Sequence, residues 1–117
     1  MLRLWKATIN SRNGFIFAIR SEQAVREEVV VLILAMPLAW LVAATTMRAV
    51  ELVGSVVLIL IVELLNTAIE KLADRLTMDH DPQIGRVKDM GSAAVGVTLA
   101  MAGLFWLFAI AERMGVI

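Results

Sequence analysis

The run MGSAAVGVTLAMAGLFWLFAIA, residues 90–111, contains no charged side chain. Coiled at 1.5 Å per residue it reaches about 33 Å, enough to cross the hydrocarbon core of a bilayer. Composition agrees: 60% of the residues are hydrophobic and the mean hydropathy is +0.81, far from an ordinary soluble domain. The chain reads as one small all-α membrane protein.

Two further segments follow the same logic. Residues 29–47, VVVLILAMPLAWLVAATTM, are uncharged and form the first span, with a kink expected at Pro37. After a polar break at Arg48 and Glu51, a second helical pattern covers residues 52–75, apolar in its first half and amphipathic in its second. Residues 90–111 are then the third span. Residues 1–28 comprise a surface helix and the entry to span one: Leu2, Leu4, Trp5, Ile9, Phe15, Ile16, Phe17 and Ile19 alternate with basic residues, which suits an amphipathic helix in the interface. Asn13-Gly14 is expected to interrupt it. TMDHDPQIG, residues 77–85, predicts a turn between spans two and three.

Basic residues fix the orientation. Arg3, Lys6, Arg12, Arg20 and Arg26 precede span one, and Lys71, Arg75, Arg86 and Lys88 lie between spans two and three, whereas Arg48 and Arg113 fall on the other side. The positive-inside rule then puts the N-terminus in the cytoplasm and the C-terminus opposite. The start of the chain lacks the features of a cleaved signal peptide, so it is expected to be retained. Formal neutrality argues against nucleic acid as a partner, and the absence of cysteine excludes disulfides and thiolate sites. Ser92, Gly96 and Ala100 form a small-residue stripe that permits close helix approach.

Against this apolar background stands VELLNTAIEKLADR, residues 62–75. Glu63, Asn66 and Glu70 are spaced i, i+3 and i+7, and Asp74 continues the row, so all four project from one helical face. A charge at the bilayer centre costs roughly 2.5–3.5 kcal/mol even on the lenient insertion scale. Either the span ends near Val62 and the row is solvated, or the helix crosses the membrane boundary with its polar stripe turned into a protein interior. Apolar residues continue on its other faces, which favours the second reading. In GRVKDMGSAAV, residues 85–95, Lys88 and Asp89 either contact phosphate and metal or serve as a topological anchor and a helix-start carboxylate. Glu22, Glu27 and Glu28 before span one have the look of a solvated cap. Together the acidic groups and Lys88-Asp89 suit a magnesium–phosphate site, since Mg²⁺ takes one or two carboxylates along with nucleotide phosphates. Neither a Walker loop nor the protein-kinase signatures occur.

VELLNTAIEKLADR followed by GRVKDMGSAAV closely resembles the signature region of the prokaryotic integral-membrane diacylglycerol kinases, and RSEQAVREE (residues 20–28) and the chain length match as well. The resemblance implies a homotrimer of three-span subunits in a bacterial inner membrane, sharing active sites at the cytoplasmic surface. It implies ATP- and Mg²⁺-dependent phosphorylation of diacylglycerol to phosphatidic acid. By the same likeness Glu63 is the general base, Asn66 organises the site, and Glu22 and Glu70 are magnesium ligands beside the nucleotide. Lys88 and Asp89 contact the phosphates and ribose side, Arg3 and Asn10 lie near the nucleotide, and Asp79, His80 and Asp81 lie near its base or sugar. Ser92 and the surface helix, with Arg3, face the lipid head group.

A carboxylate at the hydrocarbon boundary should be partly desolvated and so a better base, placed where a diacylglycerol hydroxyl sits. His80, the only histidine, is expected in solvent rather than on a metal, and Trp5, Trp40 and Trp106 as interfacial or packing residues. Two other functions fit parts of the pattern: an undecaprenol kinase, which shares the motif logic, and a small channel or ion-coupled transport subunit using the carboxylates as a relay.

Overall fold

The computed structural model describes residues Met1–Ile117, all of whose regular structure is helical. Four helices follow one another: α1 (Leu2–Ser21), α2 (Gln23–Val42), α3 (Thr46–Leu76) and α4 (Pro82–Arg113). Glu22 alone separates α1 from α2, in extended backbone. Arg26 braces this elbow, its Nη1 donating to the carbonyls of Ile19 (2.8 Å) and Arg20 (3.1 Å), acceptors that the end of α1 would otherwise leave open.

Helix α1 runs through Asn13-Gly14 without the interruption expected there. Gly14 meets nothing within 4 Å, so it brings only the weak helix propensity of glycine, about 1 kcal/mol against alanine. The next junction comes earlier than the hydrophobic run suggests: α2 stops at Val42 rather than Met47, and Arg48 and Glu51 lie in the first turns of α3 instead of forming the break. Thr45 is the cause. Its extended backbone and side-chain oxygen, which accepts from the Arg48 amide at 3.1 Å, cap α3 and start a new helix within apolar sequence. Pro37 lies inside α2, which continues past it.

The turn at residues 77–81 is where the sequence places it. Asp81 caps α4 by accepting from the amides of Gln83 (2.9 Å) and Ile84 (3.3 Å), and Pro82 occupies the first turn, where its missing N–H is no loss. Helix α4 therefore begins well before Met90, with Lys88 and Asp89 inside it. At the far end Gly115 takes a left-handed conformation (φ 77°), letting the amides of Gly115 and Val116 close onto Glu112 and Ala111.

Helix α3 is the axis of the fold, with α2 and α4 both packed along it and scarcely meeting each other. Small side chains make the close approach: Ala39, Ala43, Ala49 and Ala109 surround Leu52 at one end, and Ala18, Val25 and Leu60 pack at the other. Trp106 packs against the first cluster and donates from Nε1 to Ser55 Oγ across α3 and α4 (3.2 Å). Only 19 of 117 residues are buried, so the apolar rows along α2 and α4 need a cover from outside the chain. Helices α3 and α4 are each long and apolar enough to cross a membrane. In α2 the charges of Arg26, Glu27 and Glu28 and the early end leave only residues 29–42 apolar.

At the end remote from Glu63, Arg48 ties α3 to α4. Its guanidinium bonds Glu51 (2.6 Å) and Glu112 (2.9 and 3.2 Å) and lies over the Phe108 ring at 4.8 Å. Arg48→Ala is expected to speed amide exchange over residues 45–52 and 108–113 while leaving residues 63–74 unchanged, as hydrogen-exchange mass spectrometry would show.

Candidate active site

Residues 52–62 of α3 carry no charge and residues 63–75 carry several, and Glu63 stands where they meet. Its side chain is on the packed face of the helix, only 8% exposed, and its Oε1 accepts a long bond from Thr67 Oγ1 one turn on (3.5 Å). One buried carboxylate with one weak donor keeps most of its acceptor capacity open. That is what a proton acceptor needs.

From this point two rows diverge along α3. Glu63, Asn66, Glu70 and Asp74 turn toward α4, whereas Glu63, Thr67 and Lys71, spaced by four, turn toward the elbow between α1 and α2. On the first row Asn66 is 7% exposed and donates from Nδ2 to Glu70 Oε1 (3.2 Å). Its Oδ1 is buried without a hydrogen-bond partner and lies against Gly91 of α4, where a methyl group would collide with it. Gly91 is thus the point at which the two helices come close enough to hold the amide. Further along, Lys88 of α4 pairs with Asp74. Lys88 and its neighbour Asp89 point about 100° apart on the helix, and it is Asp74, not Asp89, that positions the ammonium.

On the second row Lys71 Nζ bonds Glu22 Oε1 at 2.8 Å and lies over the Phe17 ring at 5.0 Å. The elbow therefore delivers Glu22 to α3. Glu28 arrives from α2, on the face formed by Val25, Val29 and Leu32, and burial together with the charge of Glu27 pushes its carboxyl up. Glu22, Glu28 and Glu70 all lie close enough for their charges to act on Glu63. Carboxylates from three elements thus act on Glu63 through their charge without converging on a common point. Of the acidic run before span one, only Glu27 behaves as a solvated cap, exposed and accepting from Gln23 Nε2 (2.8 Å).

The other candidate residues lie apart. Arg3 and Asn10 line a shallow groove on α1 with Lys6, and neither bonds to the Glu63 group. Asp79 and His80 are exposed in the α3–α4 turn, and Asp81 serves as the cap of α4. Asp89 and Ser92 are exposed on α4, and so are Gly96 and Ala100 of the small-residue stripe; the seam against α3 uses Gly91, Thr98, Ala102 and Ala109 instead. The row on α3 and the acidic run before span one already contain Asp74 and Glu28, but the pairing of Asp74 with Lys88 and the role of Lys71 were not legible by motif. For the burial of Glu28 a signal existed, its place on the Val25, Val29 and Leu32 face; for Asp74 and Lys71 the partner lies on another element, α4 and the α1–α2 elbow, and leaves no trace in local spacing.

Within the chain no three acidic or histidine side chains converge as a metal cage. The donor set nevertheless has the chemistry Mg²⁺ prefers: carboxylate oxygens and an unpartnered, buried amide oxygen, Asn66 Oδ1, with no sulfur or imidazole among them. Mg²⁺ that arrives with a nucleotide needs only one or two such carboxylates.

Residues 9–110 match the family model described as prokaryotic diacylglycerol kinase. The chain belongs to this family. It is similar over most of its length to proteins named diacylglycerol kinase: 37% identical to that of Escherichia coli (strain K12), over 97% of this chain and 93% of the relative. The identity is 38% with the Pseudomonas aeruginosa protein, over 89% of this chain and 85% of the relative, and 32% with that of Haemophilus influenzae, over 91% and 90%. The matched residues include the whole Glu22, Glu28, Glu63 and Glu70 group with Lys88 and Asp89; Arg3 precedes them.

Proposed function

We propose that the protein transfers the γ-phosphoryl group of ATP to the hydroxyl of diacylglycerol, forming phosphatidic acid and ADP, at the cytoplasmic surface of a bacterial inner membrane. The observation that carries this reading is the burial of Glu63 where the uncharged stretch of α3, residues 52–62, gives way to its charged end. A diacylglycerol keeps its acyl chains in the bilayer and its hydroxyl at the boundary, while ATP approaches from water; Glu63 lies where the two meet.

In the reaction Glu63 accepts the hydroxyl proton as the lipid oxygen bonds to the γ-phosphorus and the bond to the β-phosphate oxygen breaks. Mg²⁺, when bound with the nucleotide, offsets charge on the phosphates, and Glu22 and Glu70 are the residues to hold it. Asn66 keeps Glu70 oriented, and Lys88, steadied by Asp74, supplies positive charge to the phosphates. Asp89, Arg3 and Asn10 act on the nucleotide as it is held, Asp79, His80 and Asp81 border its base or sugar, and Ser92 with α1 faces the lipid head group. In this reading α2, α3 and α4 are the three spans. The exposed apolar rows and the uncovered Ser92, Gly96 and Ala100 stripe support assembly as a homotrimer, in which a neighbouring subunit closes the site.

The test is to supply the purified protein with radiolabelled ATP and Mg²⁺ in mixed micelles containing either diacylglycerol or undecaprenol. Labelled phosphatidic acid, formed at least about tenfold faster than the polyprenyl phosphate, is expected; a tenfold preference corresponds to about 1.4 kcal/mol of transition-state discrimination. Preference for undecaprenol would reassign the substrate. Ion flux in proteoliposomes without magnesium-dependent ATP consumption would replace the kinase reading with that of a channel.

A further inference from the structure

Lys71 has no part in the mechanism above, yet it bonds the carboxylate assigned to the metal. Its ammonium reaches from α3 to Glu22 Oε1 at 2.8 Å and also lies over the face of Phe17 on α1, 5.0 Å from the ring centre. Two anchors on two different parts of the chain make this a placed cation, not a side chain trailing in solvent. The pair is accessible, with the Lys71 and Glu22 side chains 38% and 33% exposed, so an incoming ion can reach it. Of the four carboxylates Glu22, Glu28, Glu63 and Glu70 only Glu22 has an intramolecular cation on it; Glu70 accepts from the neutral Asn66 amide, and neither Glu28 nor Glu63 is ion-paired.

We infer that Lys71 is a resident counter-ion of Glu22, a positioning residue that holds the metal-binding carboxylate at the α1–α2 elbow until a divalent cation displaces it. The inference rests on the assignment of Glu22 as a magnesium ligand. Lys71 and the metal are cations that compete for one carboxylate charge, because the ammonium 2.8 Å from Oε1 already offsets the negative charge that a divalent ion would otherwise meet alone. Binding of the free ion is therefore weakened by whatever the ion pair contributes, which for a pair of this exposure corresponds to about two- to fivefold in affinity. Phe17 keeps the displaced ammonium close by, so the elbow retains a positive charge beside the arriving phosphates.

Mn²⁺ serves as the probe, since it takes the same oxygen ligands and its free concentration is read by electron paramagnetic resonance. Titrating MnCl₂ into the full-length protein in detergent, without nucleotide, should give binding about two- to fivefold tighter in Lys71→Gln than in the unmodified chain, and unchanged binding in Lys71→Arg. Absence of tightening in Lys71→Gln, including undetectable binding to both proteins, overturns the inference. Glu22→Gln separates the two levels of the argument: if it loses Mn²⁺ affinity while Lys71→Gln is unchanged, the counter-ion role falls and the ligand assignment stands. If Glu22→Gln binds Mn²⁺ as the unmodified chain does, both fall.

Discussion

Glu63→Gln should remove phosphatidic acid formation by at least about a hundredfold, the lower range for loss of a general base, with kcat taking the loss and the KM values for ATP and lipid little changed. Glutamine has the same shape and retains an acceptor for Thr67 Oγ1, so the packed face of α3 is preserved. What it lacks is the ability to take a proton. Helix content by circular dichroism and the assembly mass from size-exclusion chromatography with light scattering, a trimer in the proposed reading, should both match the unmodified protein. The thermal midpoint should be equal or higher, because a neutral amide replaces a buried carboxylate that the fold must otherwise keep poorly solvated. Unaltered turnover in this variant would remove Glu63 from the role of base. Loss of activity together with loss of the oligomer would assign it a structural one.

Gly91→Ala is the second large effect, and it acts on a different residue from the one replaced. The added methyl collides with Asn66 Oδ1, which is itself packed between α3 and α4, so either the amide turns away or the helices part. Overpacking of this kind costs about 1–3 kcal/mol. If the amide turns, its bond to Glu70 is lost and activity should fall about tenfold or more with a raised magnesium requirement. The diagnostic is the pair: Asn66→Ala vacates the space, and Gly91→Ala introduced into that background should be far less destabilising than in the unmodified chain. Equal costs in both backgrounds, measured by thermal unfolding in detergent, would show that the two positions do not touch.

The contrast between these positions shows what local sequence conveys. The row of Glu63, Asn66 and Glu70 is legible because helical periodicity alone puts the three on one face, and the Asp81-Pro82 turn is legible because cap chemistry is local. The end of α2 was harder to read. LVAATT is apolar enough to continue a span, and the only sign of a new helix is a threonine whose oxygen must find an amide three residues on. The pairing of Lys88 with Asp74 was also hidden, since it joins two helices, and helical geometry turns Lys88 away from its neighbour Asp89. Lys71 on Glu22 and Gly91 beneath Asn66 belong to the same class. Each depends on which helix lies next to which, and no spacing along one strand of sequence encodes that.

The central claim is that Glu63 touches both the lipid alcohol and the surroundings of the nucleotide. Solid-state nuclear magnetic resonance on the protein in lipid bilayers, with ¹³C-labelled glutamate and diacylglycerol, reads this directly, the Glu63 carboxyl signal being identified by its loss in Glu63→Gln. A transfer contact between the glycerol hydroxyl carbon and the Glu63 carboxyl, and paramagnetic broadening of that same signal by Mn²⁺ with a non-hydrolysable ATP analogue, is the predicted result. A sharp Glu63 signal in contact with water alone, indifferent to both lipid and nucleotide, would contradict the account.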